Sequence, residues 1–214
     1  MTPTYIPILK AKKGEFDALQ TASTATAERI QPMFEIPAFK GSTANAKRFE
    51  NLAQPTVAYL NEIVVKIATV RPGMPCFLDS RHWAPNATLE NGEHVLSYAL
   101  SRLSALGVHT NPVVNYDVWD DPEYQEVFKN AGASDAGTLC IRLESDAFDD
   151  MDDPDYFSDR LNSIITATAF PEAQICILID FRDTTALSVV DMQAVAEKCI
   201  DNLNSWQFAY IGIA

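Results

Sequence analysis

Gln174-Ile175-Cys176-Ile177-Leu178-Ile179-Asp180 carries an unbroken run of apolar residues closed by an acid. A strand with water on one face alternates apolar and polar side chains. A run without alternation belongs to a strand covered on both faces, as in a parallel sheet flanked by helices. Working outward, runs of the same character recur at Tyr5–Lys10, Gln31–Ile36, Pro75–Asp79, Pro112–Asn115, Thr138–Leu143 and Phe208–Ile213.

The segments between them read as helices. Val95, Leu96, Ala99, Leu100, Leu103 and Leu106 recur at helical spacing, with Gly107 as the stop. Met192, Val195, Ala196, Cys199, Ile200 and Leu203 do the same, starting at Ser188 as an N-cap. Asp121-Pro122 and Asp153-Pro154 pair a capping acid with a first-turn proline. Pro55 divides the second helical region into Asn45–Ala53 and a piece from Thr56 onward. Strand–helix alternation predicts parallel βαβ units with right-handed crossovers. The strand starts lie 26 to 44 residues apart, and neither GxGxxG nor GxxxxGK[ST] follows any of them. The expected fold is therefore α/β and (β/α)8-barrel-like, with about seven strands and so one short of closure. Residues 1–214 read as a single TIM-barrel-like domain, truncated at its C-terminal side.

Composition narrows the function classes. The net charge of −13 opposes binding to a bare nucleic-acid backbone. Nothing approaches 18 consecutive apolar residues, so no membrane helix is expected, and the basic cluster follows the first apolar run rather than preceding it as in a signal peptide. The chain reads as cytoplasmic. Cys76, Cys140, Cys176 and Cys199 form no CxxC pair and read as buried free thiols. His82, His94 and His109 lack zinc-binding spacing. The acidic run from Asp146 to Asp155 lacks the glycine and closing glutamate of an EF-hand loop, so no metal ligand is assigned there.

The informative pattern is a phase rule: residues two apart on a strand share a face. Strand one ends in Lys10 and Lys12, and strand two offers Glu35. Strand three offers Asp79 and Arg81, and strand four Asn115 and Asp117. Strand five offers Arg142 and Glu144, and strand six Asp180 and Arg182. The C-terminal strand ends are where barrel enzymes place their sites. Glu35, Asp79 and Asp180 are therefore the candidate catalytic acids and bases, or ligands for Mg²⁺, which favours carboxylate oxygens. Lys10, Arg81, Asp117, Arg142, Glu144 and Arg182 are the candidate ligand-binding residues. Trp83, Tyr116, Trp119 and Phe181 lie close in sequence as pocket walls. Charges of both signs at strand ends also fit a second reading, in which they neutralise one another.

Two stretches carry a family resemblance. Tyr5-Ile6-Pro7-Ile8-Leu9-Lys10 with Lys13-Gly14-Glu15-Phe16, and Gln31-Pro32-Met33-Phe34-Glu35-Ile36-Pro37, resemble the phage-type beta protein family. Leu78-Asp79, Arg142 and Asp180 match more loosely. The resemblance implies a barrel-like α/β fold and a phage or prophage setting, and implies no particular reaction. Family members commonly continue past the strand matching Phe208–Ile213. Two functions are expected to compete: an enzyme-like barrel that binds or hydrolyses a small anionic, phosphorylated ligand, and a catalytically silent interaction protein of a phage or defence operon. The uncharged Phe208–Ala214 strand is expected to associate, covered by a second chain, a further C-terminal segment or a symmetric copy.

Overall fold

The structure, a computed structural model, describes residues 5–129 and 137–214. Among the described residues, seven strands alternate with helices: β1 (Ile8–Leu9), β2 (Met33–Glu35), β3 (Cys76–Asp79), β4 (Thr110–Asn115), β5 (Leu139–Leu143), β6 (Ile175–Ile179) and β7 (Tyr210–Ile213). Their order is β1-β2-β3-β4-β5-β6-β7, and every pairing is parallel. The helices are α1 (Lys13–Thr21), α2 (Thr24–Ala27), α3 (Pro55–Val70), α4 (Val95–Ala105), α5 (Pro122–Phe128), α6 (Ser145–Asp150), α7 (Pro154–Thr168) and α8 (Val189–Leu203). The strand–helix order is the one the sequence predicts, and the fold is of the (β/α) barrel class.

The chain forms two compact units, the first ending at Pro112 and the second running from Val113 to Ala214. The boundary falls inside β4: Thr110–Pro112 pair with β3, and Val113–Asn115 pair with β5. Pro112 has no N–H to donate, and it sits where one ladder gives way to the other. In the first unit, Met33, Phe34, Phe77 and Leu78 are fully buried, as are Leu60 and Ile67 of α3 and Leu96 and Leu103 of α4. In the second, Ile141, Leu143, Ile177 and Ile179 meet a core that includes Phe157, Leu161 and Ile164 of α7. All four cysteines are buried free thiols.

The predicted helix over Asn45–Ala53 does not form. Only a 3-10 turn at Lys47–Phe49 appears, and Asn51, at φ +64°, turns the chain into the left-handed region before Pro55 opens α3. Ser188 occupies the N-cap of α8, but its side chain makes no capping hydrogen bond. Asp121 and Asp153 do cap, accepting backbone N–H groups of α5 and α7 respectively.

Candidate functional site

In the first unit, β2 and β3 deliver two carboxylates level with each other, since Glu35 and Asp79 are register partners. Asp79 is fully buried, and its Oδ1 accepts the Arg81 N–H at 2.8 Å. This Asx-type turn reverses the chain at the strand end. Arg81 Nη1 then donates to Glu35 Oε1 at 3.3 Å, and His82 Nε2 lies 2.9 Å from Glu35 Oε2. Glu35 is only 3% exposed, whereas the His82 side chain is 36% exposed. The pair thus joins a buried carboxylate to an imidazole that solvent reaches.

Both flanks of this pair are fixed. Tyr59 OH donates to Pro37 O at 2.9 Å, two residues beyond Glu35, and packs on Phe39 with ring centroids 5.1 Å apart. Burial pushes the Tyr59 hydroxyl up to about 12, so it remains a donor. Beyond His82, Trp83 N–H donates to Ser80 O at 2.8 Å. His94 pins the far end of the loop: its Nε2 donates to Pro85 O at 2.7 Å, and its Nδ1 accepts the Leu96 N–H at 3.1 Å. Lys10 follows Leu9, the partner of Phe34, and so stands level with Glu35. It is exposed and makes no ion pair with a described residue.

In the second unit a larger network is built around Arg142, which is 1% exposed on β5. Its Nε donates to Asp180 Oδ2 at 2.7 Å and lies 3.2 Å from Glu144 Oε1. Asn115 Nδ2 donates to Glu144 Oε2 at 3.2 Å, and Arg182 Nη2 donates to the same oxygen. Asp180 Oδ1 accepts the Arg182 N–H at 2.7 Å. Arg182 adopts φ +59°, a left-handed conformation that costs an arginine about 1–3 kcal/mol. Asp117 lies 3.8 Å from Arg182 and accepts the Asp146 and Ala147 N–H groups at the start of α6. Burial pushes the Asp117 carboxyl above the ordinary aspartate range, and the nearby Asp146 and Glu144 charges push the same way.

The structure therefore brings Glu35, Asp79 and Arg81 together in one cluster, and Asp117, Arg142, Glu144, Asp180 and Arg182 in another. Within each cluster the residues are joined by hydrogen bonds and ion pairs. His82 was missed: it has no motif and no strand parity, and only its place directly after Arg81 pointed to it. Among the described residues, no group of three or more His, Cys, Asp or Glu side chains is arranged to hold a metal ion.

The clusters differ chemically. In the second, two guanidinium groups face the Glu144 and Asp180 carboxylates, and a guanidinium does not release its proton in a protein. The first contains a histidine, which can take up and release a proton. The surroundings differ as well. Residues 1–112 hold eleven Lys and Arg against nine Asp and Glu, a net charge of +2. Residues 113–214 hold five against twenty, a net charge of −15.

A parallel strand–helix alternation with charged side chains at the C-terminal strand ends defines a barrel-class α/β protein. The chain belongs to the Beta protein family, which it matches over residues 5–214. Among solved structures it resembles a GH18 chitinase from Pseudoalteromonas aurantia, with a TM-score of 0.55 and 12% sequence identity, over 94% of this chain and 75% of that one. At that identity the likeness is one of fold. No curated protein sequence matches the chain significantly. Among the described residues, no helix is long and apolar enough to cross a membrane.

Proposed function

We propose that this protein is an enzyme-like barrel that binds and hydrolyses a small anionic ligand, a phosphate ester, at the C-terminal ends of its strands. One observation carries the reading: Glu35 and Asp79 stand level, buried, at neighbouring strand ends beside the unneutralised Lys10, in the half of the chain with positive net charge. Lys10 holds the anionic group, and the strand-end cluster of Glu35, Asp79 and Arg81 supports the acid–base chemistry. Asp117, Arg142, Glu144, Asp180 and Arg182 shape the other strand ends through their mutual ion pairs. Residues 1–214 act in this reading as one barrel-class domain, in the cytoplasm of a bacterial or phage-infected cell. The test is a panel of phosphate monoesters and diesters with and without Mg²⁺, alongside calorimetry with inorganic phosphate. Hydrolysis of a panel member, and about tenfold weaker phosphate binding in Lys10→Ala, are expected, the latter equivalent to ~1.4 kcal/mol. Absence of both turnover and binding sinks the reading.

A second reading, an interaction protein of a phage or defence operon, draws on β7. Among described strands it pairs only with β6, and Ile211 and Ile213 are 39% and 58% exposed. Such an edge supports pairing with another chain. Light scattering tests it: a mass that stays at 23.6 kDa across micromolar concentrations removes self-association.

A further inference from the structure

The same turn is built twice. Asp79-Ser80-Arg81 and Asp180-Phe181-Arg182 each end a strand, each aspartate Oδ1 accepts the N–H of the arginine two residues on, and each arginine reaches back to a glutamate of the preceding strand or its end. Glu35 and Glu144 are the two glutamates. One difference is the group that faces the other carboxylate oxygen. Glu144 Oε1 faces Arg142, a permanent cation with 2% side-chain exposure. Glu35 Oε2 faces His82. At the position after the arginine, the first copy has His82 and the second has the exposed Asp183.

From this comparison we infer that His82 is the general base of the first strand-end cluster, acting through Nδ1, and that Asp79 and Arg81 are its positioning residues. The inference rests on the site proposed above and names the group that moves the proton there. A carboxylate accepts hydrogen bonds and donates none, so in the neutral ring Glu35 Oε2 fixes the proton on Nε2. Nδ1 is left with its lone pair and makes no hydrogen bond to a described residue. In the reaction, Nδ1 takes a proton from water as the water oxygen bonds to the ligand's phosphorus. The ring's positive charge faces Glu35, and the proton passes to the leaving oxygen as its bond to phosphorus breaks. Arg81 occupies Oε1, which keeps Oε2 directed at His82. Asp79 fixes the turn from which both residues project. In the second copy it is Arg142, a permanent cation that accepts no proton, that faces Glu144 Oε1.

The test needs no substrate. Diethylpyrocarbonate acylates an unprotonated imidazole nitrogen: the ring nitrogen bonds to the carbonyl carbon, ethyl carbonate leaves, and the other ring nitrogen gives up its proton. Mass spectrometry maps the modified histidines, and NMR identifies the nitrogen that carries the adduct. His82 is expected to react at Nδ1. His94, whose two nitrogens are both engaged, is spared, and the exposed His109 reports full reactivity. Asp79→Ala should spread the His82 adduct over both nitrogens, and Asp79→Asn, which still offers an oxygen to the Arg81 N–H, should restore Nδ1 selectivity. A His82 that is spared, or acylated at Nε2, overturns the inference in the wild-type protein alone. So does Asp79→Ala with unchanged selectivity, for the positioning role. Failure of the phosphate-ester panel removes the proposed reaction and leaves the acylation pattern standing, so the two failures are distinguishable.

Discussion

Arg142 and Asp180 are joined across β5 and β6, with Nε 2.7 Å from Oδ2 and both side chains almost wholly buried. Removing one member leaves the other charged in the interior, a loss that typically costs about 3–5 kcal/mol. Arg142→Ala and Asp180→Ala should each lower the urea midpoint by that equivalent. A loss below about 1 kcal/mol in both would show that water reaches the pair and screens it.

The three N-caps should separate by mutation. Asp121 accepts two backbone N–H groups at 2.9 and 3.0 Å, and Asp153 accepts one at 3.2 Å. Alanine at either position is expected to cost about 0.5–2 kcal/mol, with Asp121 the more costly. Ser188 makes no such bond, so Ser188→Ala should fall within about 0.5 kcal/mol of wild type. Equal losses at Asp121 and Ser188 would contradict the capping geometry.

Asp117 gives a pH dependence of defined sign. Burial raises its folded-state value, so the folded protein binds more protons than the unfolded chain in the window above the ordinary aspartate value of about 3.9. Stability contributed by the protonated form is therefore present below that value and lost as pH rises through the window. Asp117→Asn cannot titrate and keeps an oxygen for the α6 N–H groups. Relative to wild type it should gain stability as pH rises from about 3 towards neutrality. Parallel stability curves for the two proteins would refute this.

The thiols should be silent in the native state. Burial pushes Cys76 up to about 12 and Cys199 up to about 11, and Cys140 and Cys176 are 1% exposed. Thiolate is the reactive form. Dithionitrobenzoate should find no reactive thiol before unfolding and four afterwards. Rapid native reaction would mean that the strands open locally.

The strands were legible because their burial is written into composition. Ile175–Ile179 and Leu139–Leu143 are buried at every position, which forbids alternation and makes the run unmistakable. Strand-end chemistry was legible as spacing: Asp79 with Arg81, and Asp180 with Arg182, are two apart, and in each pair the aspartate accepts the arginine N–H. The pairings were not legible. His82 meets Glu35 across 47 positions and Arg142 meets Asp180 across 38. Such partners are chosen by register between strands, and that register is set by long-range packing. Local propensity also failed at Asn45–Ala53, where the left-handed Asn51 and the following Pro55 end what periodicity would have extended. At β4 the strand begins at Thr110, earlier than the proline suggested, because Thr110 and Asn111 are still paired with β3 before Pro112 is reached.

Arg182, at φ +59°, has an evolutionary consequence. Every codon for arginine lies a single base change from a codon for glycine, and glycine occupies that backbone conformation without strain. Mutation thus offers this gene a permanent route to a more relaxed turn. Natural sequence drift at this position should then report on selection directly. A lineage that keeps arginine there is keeping the guanidinium on Glu144, and a lineage that has moved to glycine has found another cation for that carboxylate or has lost the acid as well.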